Sequence, residues 1–217
     1  MSAELESQSR DVPGVVRRLD DGSGHCYLTF DDGPHPEWTP RVLEALARAD
    51  VRATFFVIGR LAQHSSTLLR EVRAAGHVIG NHGFSHRHPW TLTRSRARNE
   101  VRAALDTIAQ ALGERPQWFR PPHGRLGAYL VEAARQEGQR VALWSVSAVD
   151  WGPLATPARI QARLGALRAG DIVLMHDGPL RHNRPDRTLL VLPDLLAALT
   201  RDGPAPAPLP VVATMGA

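Results

Sequence analysis

The sequence predicts an α/β fold in which parallel strands alternate with helical crossovers. Three observations carry this. Short apolar runs alternate with amphipathic stretches along nearly the whole chain. Helix start and stop signals punctuate the amphipathic stretches. The unusual polar residues fall just after the apolar runs, where the strand ends of a parallel fold converge on one face. The chain has 217 residues, enough for one sizeable core and short for two. About seven β/α units in one domain make either a barrel or a doubly wound sheet.

Residues 1–24 are polar and glycine-containing and read as an irregular lead-in, with a single domain over 25–217. The expected strands are Cys26–Phe30, Thr54–Ile58, His77–Ile79, Gln117–Phe119, Val141–Trp144, Ile172–Met175 and Val211–Ala213. Thr39–Pro40 reads as an N-cap with proline at the first helical position, ahead of Val42, Leu43 and Leu46. Ser66–Ala75 runs to a stop at Gly76. The longest helix starts near Thr93, carries Val101, Leu105, Ile108 and Leu112 at helical spacing, and stops at Gly113. Leu126–Gln136 precedes Gly138, Thr156–Pro157 repeats the capped start, and Pro193–Thr200 forms the last helix. The proline- and alanine-rich stretch 202–210 reads as a rigid connector to the final strand.

Composition excludes several classes. Hydrophobic residues make up 43% and charged residues 22%, which rules out a collagen, a disordered tail or a disulfide-stapled miniprotein. Cys26 is alone, so no disulfide forms within the chain, and a free cysteine on the first long strand reads as core packing. The net charge is +4, and all 26 basic residues are arginine. No nucleic-acid motif accompanies that charge, so a nucleic-acid partner is not expected. Arg94, Arg96, Arg98 and Arg102 lie on or beside the longest helix and read as a solvated face. No apolar stretch approaches a membrane span. The first ten residues lack a basic start and an apolar run, so the chain reads as cytoplasmic as written, or as an envelope or secreted protein if it is a trimmed mature form.

The polar residues at strand ends carry the chemistry. Asp31–Asp32–Gly33–Pro34 follows the first long strand, and His82 and His86 follow the third. Arg120–Pro121–Pro122–His123–Gly124 follows the fourth, Asp150–Trp151 comes after the fifth, and His176–Asp177–Gly178 follows the sixth. Histidines four apart lie on one face of a helical turn and can share a metal ion. Asp32 as a third ligand leaves a position open for water, the pattern of a catalytic zinc site. The spacing is that of a His-Glu-x-x-His motif with Gly83 where its glutamate stands, so a general base must come from elsewhere, and Asp31 is adjacent. Taken alone, each signal has a plainer reading: a surface histidine pair with His77 and His88 nearby, an Asp-Gly-Pro turn, a solvated arginine. Their common face argues against those readings. Adjacent carboxylates cannot leave a strand in the same direction, which suggests one on the metal and one on the attacking water. Arg120 is expected to hold Asp31 as a bidentate pair, and Asp150 to orient His176 and keep it protonated.

In order along the chain, Thr29-Phe30-Asp31-Asp32-Gly33-Pro34, His82-x-x-x-His86, Arg120-Pro121-Pro122-His123-Gly124, Asp150-Trp151 and Leu174-Met175-His176 resemble the five motifs of the polysaccharide deacetylases. This is the NodB-homology family, carbohydrate esterase family 4. The resemblance spans roughly Tyr27 to Ala213. It implies a single-domain distorted (β/α)7 barrel and one divalent metal ion, zinc or cobalt. It also implies hydrolytic removal of acetyl from an N- or O-acetylated sugar of a poly- or oligosaccharide. Carried over by residue, it implies Asp32, His82 and His86 as metal ligands, Asp31 as general base and Arg120 as its positioning partner. His176 is the implied general acid with Asp150 as orienter, the His123 N–H an oxyanion donor, and Trp151 and Leu174 the walls of an acetyl-methyl pocket.

Two departures stand out. His123 occupies a position that is often Tyr or Phe, and Ser147 replaces the first aspartate of the usual Asp-x-x-Asp-Trp motif. They bear on substrate preference. The expected partner is an acetylated glycan such as peptidoglycan or a chitooligosaccharide. A small non-sugar amide as substrate, or a non-catalytic glycan-binding protein, remain the alternatives. The oligomeric state is not readable from the sequence.

Overall fold

The computed structural model describes residues 12–180 and 182–212. The start of the expected lead-in and Ala213 of the last expected strand lie outside the described residues. The strands are β1 (Val15–Val16), β2 (Cys26–Asp31), β3 (Thr54–Val57), β4 (Val78–Asn81), β5 (Trp118–Phe119), β6 (Arg140–Ala142), β7 (Val146–Ser147), β8 (Ile172–His176) and β9 (Pro206–Ala207). The helices are α1 (Trp38–Arg48), α2 (Gly59–His64), α3 (Ser66–Ala74), α4 (Arg94–Leu112), α5 (Ala128–Gln136), α6 (Pro157–Leu164) and α7 (Pro185–Asp202).

Every strand pairing is parallel, in the order β1-β6-β5-β4-β3-β2-β8-β7, with β9 added beside β2. β6 and β7 are successive parts of one stretch of chain. β6 pairs with β5 and β1, and β7 pairs with β8, so the sheet curls and residues 140–147 span its two sides. This is the distorted α/β barrel expected of the motif set, with helices on the outside.

Period-2 alternation sorts each strand into two faces. On β2, Cys26, Leu28 and Phe30 pack outward beneath the helices with Val173 and Met175 of β8. Tyr27 points inward, into a small interior cluster with Phe56, Trp118, Ala142 and Ile172. The same parity places Thr29 and Asp31, Trp118 and Arg120, and Leu174 and His176 on the inner face, at the C-terminal end of the barrel. Polar chemistry at that end thus follows from a two-residue rhythm already present in the sequence.

The helix signals hold where the cap is local. Thr93 accepts the Arg96 N–H, and Gly113 closes α4 at φ 75. Thr156 accepts the Arg159 N–H ahead of Pro157. Four expectations change.

α1 begins at Trp38 with Glu37 as N-cap, and Thr39 lies inside the first turn. Its hydroxyl donates to Asp177 at 2.5 Å and accepts the His35 N–H at 2.8 Å, so a long-range contact draws it inward.

The last helix starts at Pro185, and Pro193 sits within it. Burial of Thr188, Val191, Leu192, Leu195, Leu196 and Leu199 along one stripe outweighs the backbone bond that proline removes.

Val211 and Val212 form no strand, and Pro206–Ala207 takes that place beside β2. The lead-in is also less irregular than expected, because Val15–Val16 finds β6 as a partner. Cys26 is buried as expected, and burial pushes its thiol up to about 12, which makes it inert.

Candidate active site

The expected residues meet at the C-terminal mouth of the barrel. Asp32 Oδ1 lies 3.1 Å from His86 Nε2 and 3.4 Å from His82 Nε2. His176 Nε2 lies 3.9 Å from Asp32 Oδ2. The other adjacent carboxylate also faces the same imidazole, with Asp31 Oδ2 3.7 Å from His82 Nε2. The sequence expectation of opposite directions is therefore corrected. Asp32 adopts φ 75, a left-handed turn directly after the strand, and swings back beside Asp31.

The histidine pair is corrected too. No helical turn carries it. His82 follows β4, and a loop with Gly83 at φ 77 and His86 at φ 57 folds the second ring back toward the first. Their centroids end 5.1 Å apart. Glu100 on α4 holds that loop by accepting the N–H groups of Phe84 and Ser85 and the Ser85 hydroxyl. Left-handed non-glycine backbone at Asp32, His86, His123 and Val149 clusters around the mouth, where such strain persists only if the surroundings enforce it.

The donor set fits a metal ion. Asp32 Oδ1 is buried and has no hydrogen-bond partner among the described residues. Its Oδ2 is held by the Asn183 side-chain amide at 2.6 Å. His82 Nδ1–H donates to the Arg120 carbonyl at 2.8 Å, which fixes the tautomer and leaves Nε2 aimed at the cluster. One ligand atom from each of Asp32, His82 and His86 falls within 4.8 Å of the others. Donors about 2.0–2.2 Å from a tetrahedral zinc lie roughly 3.3–3.6 Å apart, close to the separations at Asp32 Oδ1. Burial opposes a charge on Asp32, but His82 and His86 hold its carboxyl well below the usual range.

Gly178 makes this arrangement possible. A Cβ there would lie 2.1 Å from the Asp32 carbonyl oxygen. Gly178→Ala therefore pushes Asp32 off the cluster, and metal affinity falls about 10–100-fold, measured by competition with a chromophoric chelator.

Arg120 is fully buried. Its pairing with Asp31 is through one nitrogen, Nη1 to Oδ1 at 2.7 Å, and not the bidentate fork expected. The remaining donors have other work. Nη1 also reaches Thr29 Oγ1 at 2.7 Å, Nη2 the Leu143 carbonyl at 2.9 Å and Nε the Ala142 carbonyl at 3.4 Å. Those carbonyls sit where β6 ends and the ladder no longer supplies donors. Phe56 lies beneath the guanidinium at 4.1 Å. Asp31 is thus gripped at Oδ1 and keeps Oδ2 toward the cleft.

Asp150 is fully buried and accepts three bonds, from His176 Nδ1 at 2.7 Å, the His176 backbone N–H at 2.9 Å and the Thr188 hydroxyl at 2.7 Å. Burial opposes a proton on His176, yet Asp150 overrides it, with Asp32 and Asp31 adding, and the imidazole is held up at about 9. In metal-free protein, NMR titration of His176 is expected to give a pKa near that value, and Asp150→Asn is expected to bring it down by at least one unit. The raised pKa contributes stability in full below about 6.5, lost as pH rises toward about 9. A dication in the site adds positive charge and lowers the value.

Trp151 packs edge-on to His176 with centroids 5.6 Å apart, and buried Leu174 lies two residues before His176 on the same inner face. His123 sits at φ 60 in the turn Pro122–Gly124, its ring 4.4 Å from that of His86. His77 is at the opposite end of β4, where its Nδ1 accepts the Ala53 N–H, so it takes no part in the site.

Sequence reasoning missed Glu100, which holds the loop between His82 and His86, and Asn183 and Thr188, which bond Asp32 and Asp150 across 151 and 38 positions of sequence; none carries a motif. It also gave Asp177 no role. Burial pushes that carboxyl up to about 7, against the Thr39 hydroxyl and helped by Asp32 and Asp31. Its N–H donates to the Asp31 carbonyl at 3.1 Å. The signal available was its place next to His176.

Comparison with known proteins identifies the family. Residues 19–142 match the family model for polysaccharide deacetylase. The chain is 36% identical over 169 residues to a chitooligosaccharide deacetylase of Sinorhizobium fredii, covering 77% of this chain and 79% of that protein. It is 32% identical over 155 residues to a peptidoglycan-N-acetylglucosamine deacetylase of Bacillus cereus, covering 71% of this chain and 56% of that protein's length. The crystal structure of a peptidoglycan N-acetylglucosamine deacetylase bound to an N-hydroxybenzamide derivative superposes with a TM-score of 0.83 at 29% identity, covering 91% of each chain. The chain belongs to the polysaccharide deacetylase family, with the NodB-type fold of carbohydrate esterase family 4.

Proposed function

We propose that this protein hydrolyses acetyl groups from N-acetylated sugars of a glycan, of the chitooligosaccharide or peptidoglycan kind on which its named relatives act. The observation that carries the reading is the unpartnered Asp32 Oδ1 facing two imidazole Nε2 atoms, with Asp31 and His176 on either side. Asp32, His82 and His86 would hold a divalent ion, zinc or cobalt, which when bound polarises the acetyl carbonyl and lowers the pKa of the attacking water.

The chain's own groups do the rest. Asp31 Oδ2 takes the proton of the attacking water, while Arg120 fixes Oδ1. The His123 N–H donates to the oxyanion as the carbonyl carbon becomes tetrahedral. His176 gives the Nε2 proton to the departing sugar nitrogen, and Asp150, bonded at Nδ1, stabilises the imidazolium from the other side. Trp151 and Leu174 wall the pocket for the acetyl methyl. The carbon–nitrogen bond breaks, and acetate and a sugar amine leave.

The test is a panel of acetylated substrates with acetate measured directly. Acetate from N-acetylglucosamine oligomers or peptidoglycan supports the reading. Acetate only from acetylxylan or a small non-sugar amide, or from nothing in the panel, contradicts it.

A further inference from the structure

Beside the site runs a row of rings whose outer members, His88 and Trp90, have no assigned role. From the His86 ring, centroid steps of 4.4 Å to His123, 4.9 Å to His88 and 4.4 Å to Trp90 form a continuous ledge leading out of the mouth. At its end the indole of Trp90 is 78% exposed. It is not there by slack. The turn Pro89–Thr91 is closed by the Thr91 N–H to the His88 carbonyl, and the His88 side chain accepts the Trp90 N–H, so the ring is presented on a built corner. Arg125, from the turn after His123, brings its guanidinium to 5.7 Å from the indole centroid and makes no ion pair among the described residues. Trp90 and Arg125 thus stand together and exposed at the edge of the mouth.

We infer that Trp90 and Arg125 form a subsite for a neighbouring sugar of the glycan chain, resting on the deacetylase reading above. The C–H face of a pyranose stacks on the electron-rich indole face. The free guanidinium donors bond the hydroxyl oxygens around the ring. The ledge fixes which sugar this is: one attached to the residue whose acetyl group reaches the His86 side of the metal cluster. The subsite makes the protein an enzyme of chains, with little use for single sugars.

The probes are β-1,4-linked N-acetylglucosamine oligomers of one to six units. In the wild type kcat/KM rises with chain length. Trp90→Ala lowers the ratio of hexamer to monomer kcat/KM about tenfold, through KM, as expected for one lost aromatic stack, and Trp90→Phe recovers most of it. Arg125→Ala moves the same ratio in the same direction. Direct binding gives a second readout: the tryptophan fluorescence of chelator-stripped protein responds to the hexamer, and that response is largely lost in Trp90→Ala. A length ratio and hexamer response unchanged in Trp90→Ala overturn the subsite, whatever the enzyme's activity. Wild-type protein that binds the hexamer through Trp90 but releases no acetate leaves the subsite standing and contradicts the deacetylase reading.

Discussion

Asp31→Asn is expected to lose turnover by about 10²–10⁴-fold, the usual contribution of a positioned general base, while metal stoichiometry stays unchanged. Asparagine keeps an oxygen for Arg120, so the grip on this position survives. It loses the basic Oδ2 that faces the cleft near His82. The three residues that would hold the ion are untouched by the change. Steady-state acetate release together with metal analysis separates the two effects. Near-wild-type turnover in the metal-loaded variant would remove Asp31 as the base.

Arg120→Leu is expected to have the largest effect on stability, about 3–5 kcal/mol, the cost of stranding one partner of a buried ion pair. For a domain of this size that is roughly 10 °C in melting temperature. The change leaves buried Asp31, the Thr29 hydroxyl and the carbonyls of Ala142 and Leu143 without their donors. It also removes the cation above Phe56. In a double-mutant cycle, adding Asp31→Asn to Arg120→Leu costs less than it does alone, because the stranded charge is then gone. Thermal unfolding of the four proteins measures this. Additive shifts would mean that the pair is not the source of the effect.

Much of this centre was legible because its residues follow strands whose two-residue rhythm is plain. Asp31, Arg120 and His176 each continue an inner face already set by Tyr27, Trp118 and Ile172. The Asp150–His176 contact also follows from position and chemistry alone. What stayed hidden depends on backbone signs and long-range partners. Spacing of four suggested a helix for His82 and His86, and nothing local shows that Gly83 and His86 turn left-handed with Glu100 as their anchor. Asn183 reaches Asp32 across 151 positions from a loop with no pattern. Pro193 looked like a helix start because proline favours that place, and only the buried stripe on both sides of it shows otherwise. Thr39 looked like a cap until Asp177 claimed its hydroxyl.

The most direct test of the account is acetate release as a function of bound metal. Protein stripped with chelator and titrated with zinc or cobalt should gain deacetylase activity on an N-acetylglucosamine oligomer in proportion to metal. The gain should stop at one ion per chain, and His86→Ala should show neither the tight ion nor the activity. Stripped protein as active as the loaded form, or protein with one tight ion at Asp32, His82 and His86 that releases no acetate, would contradict it.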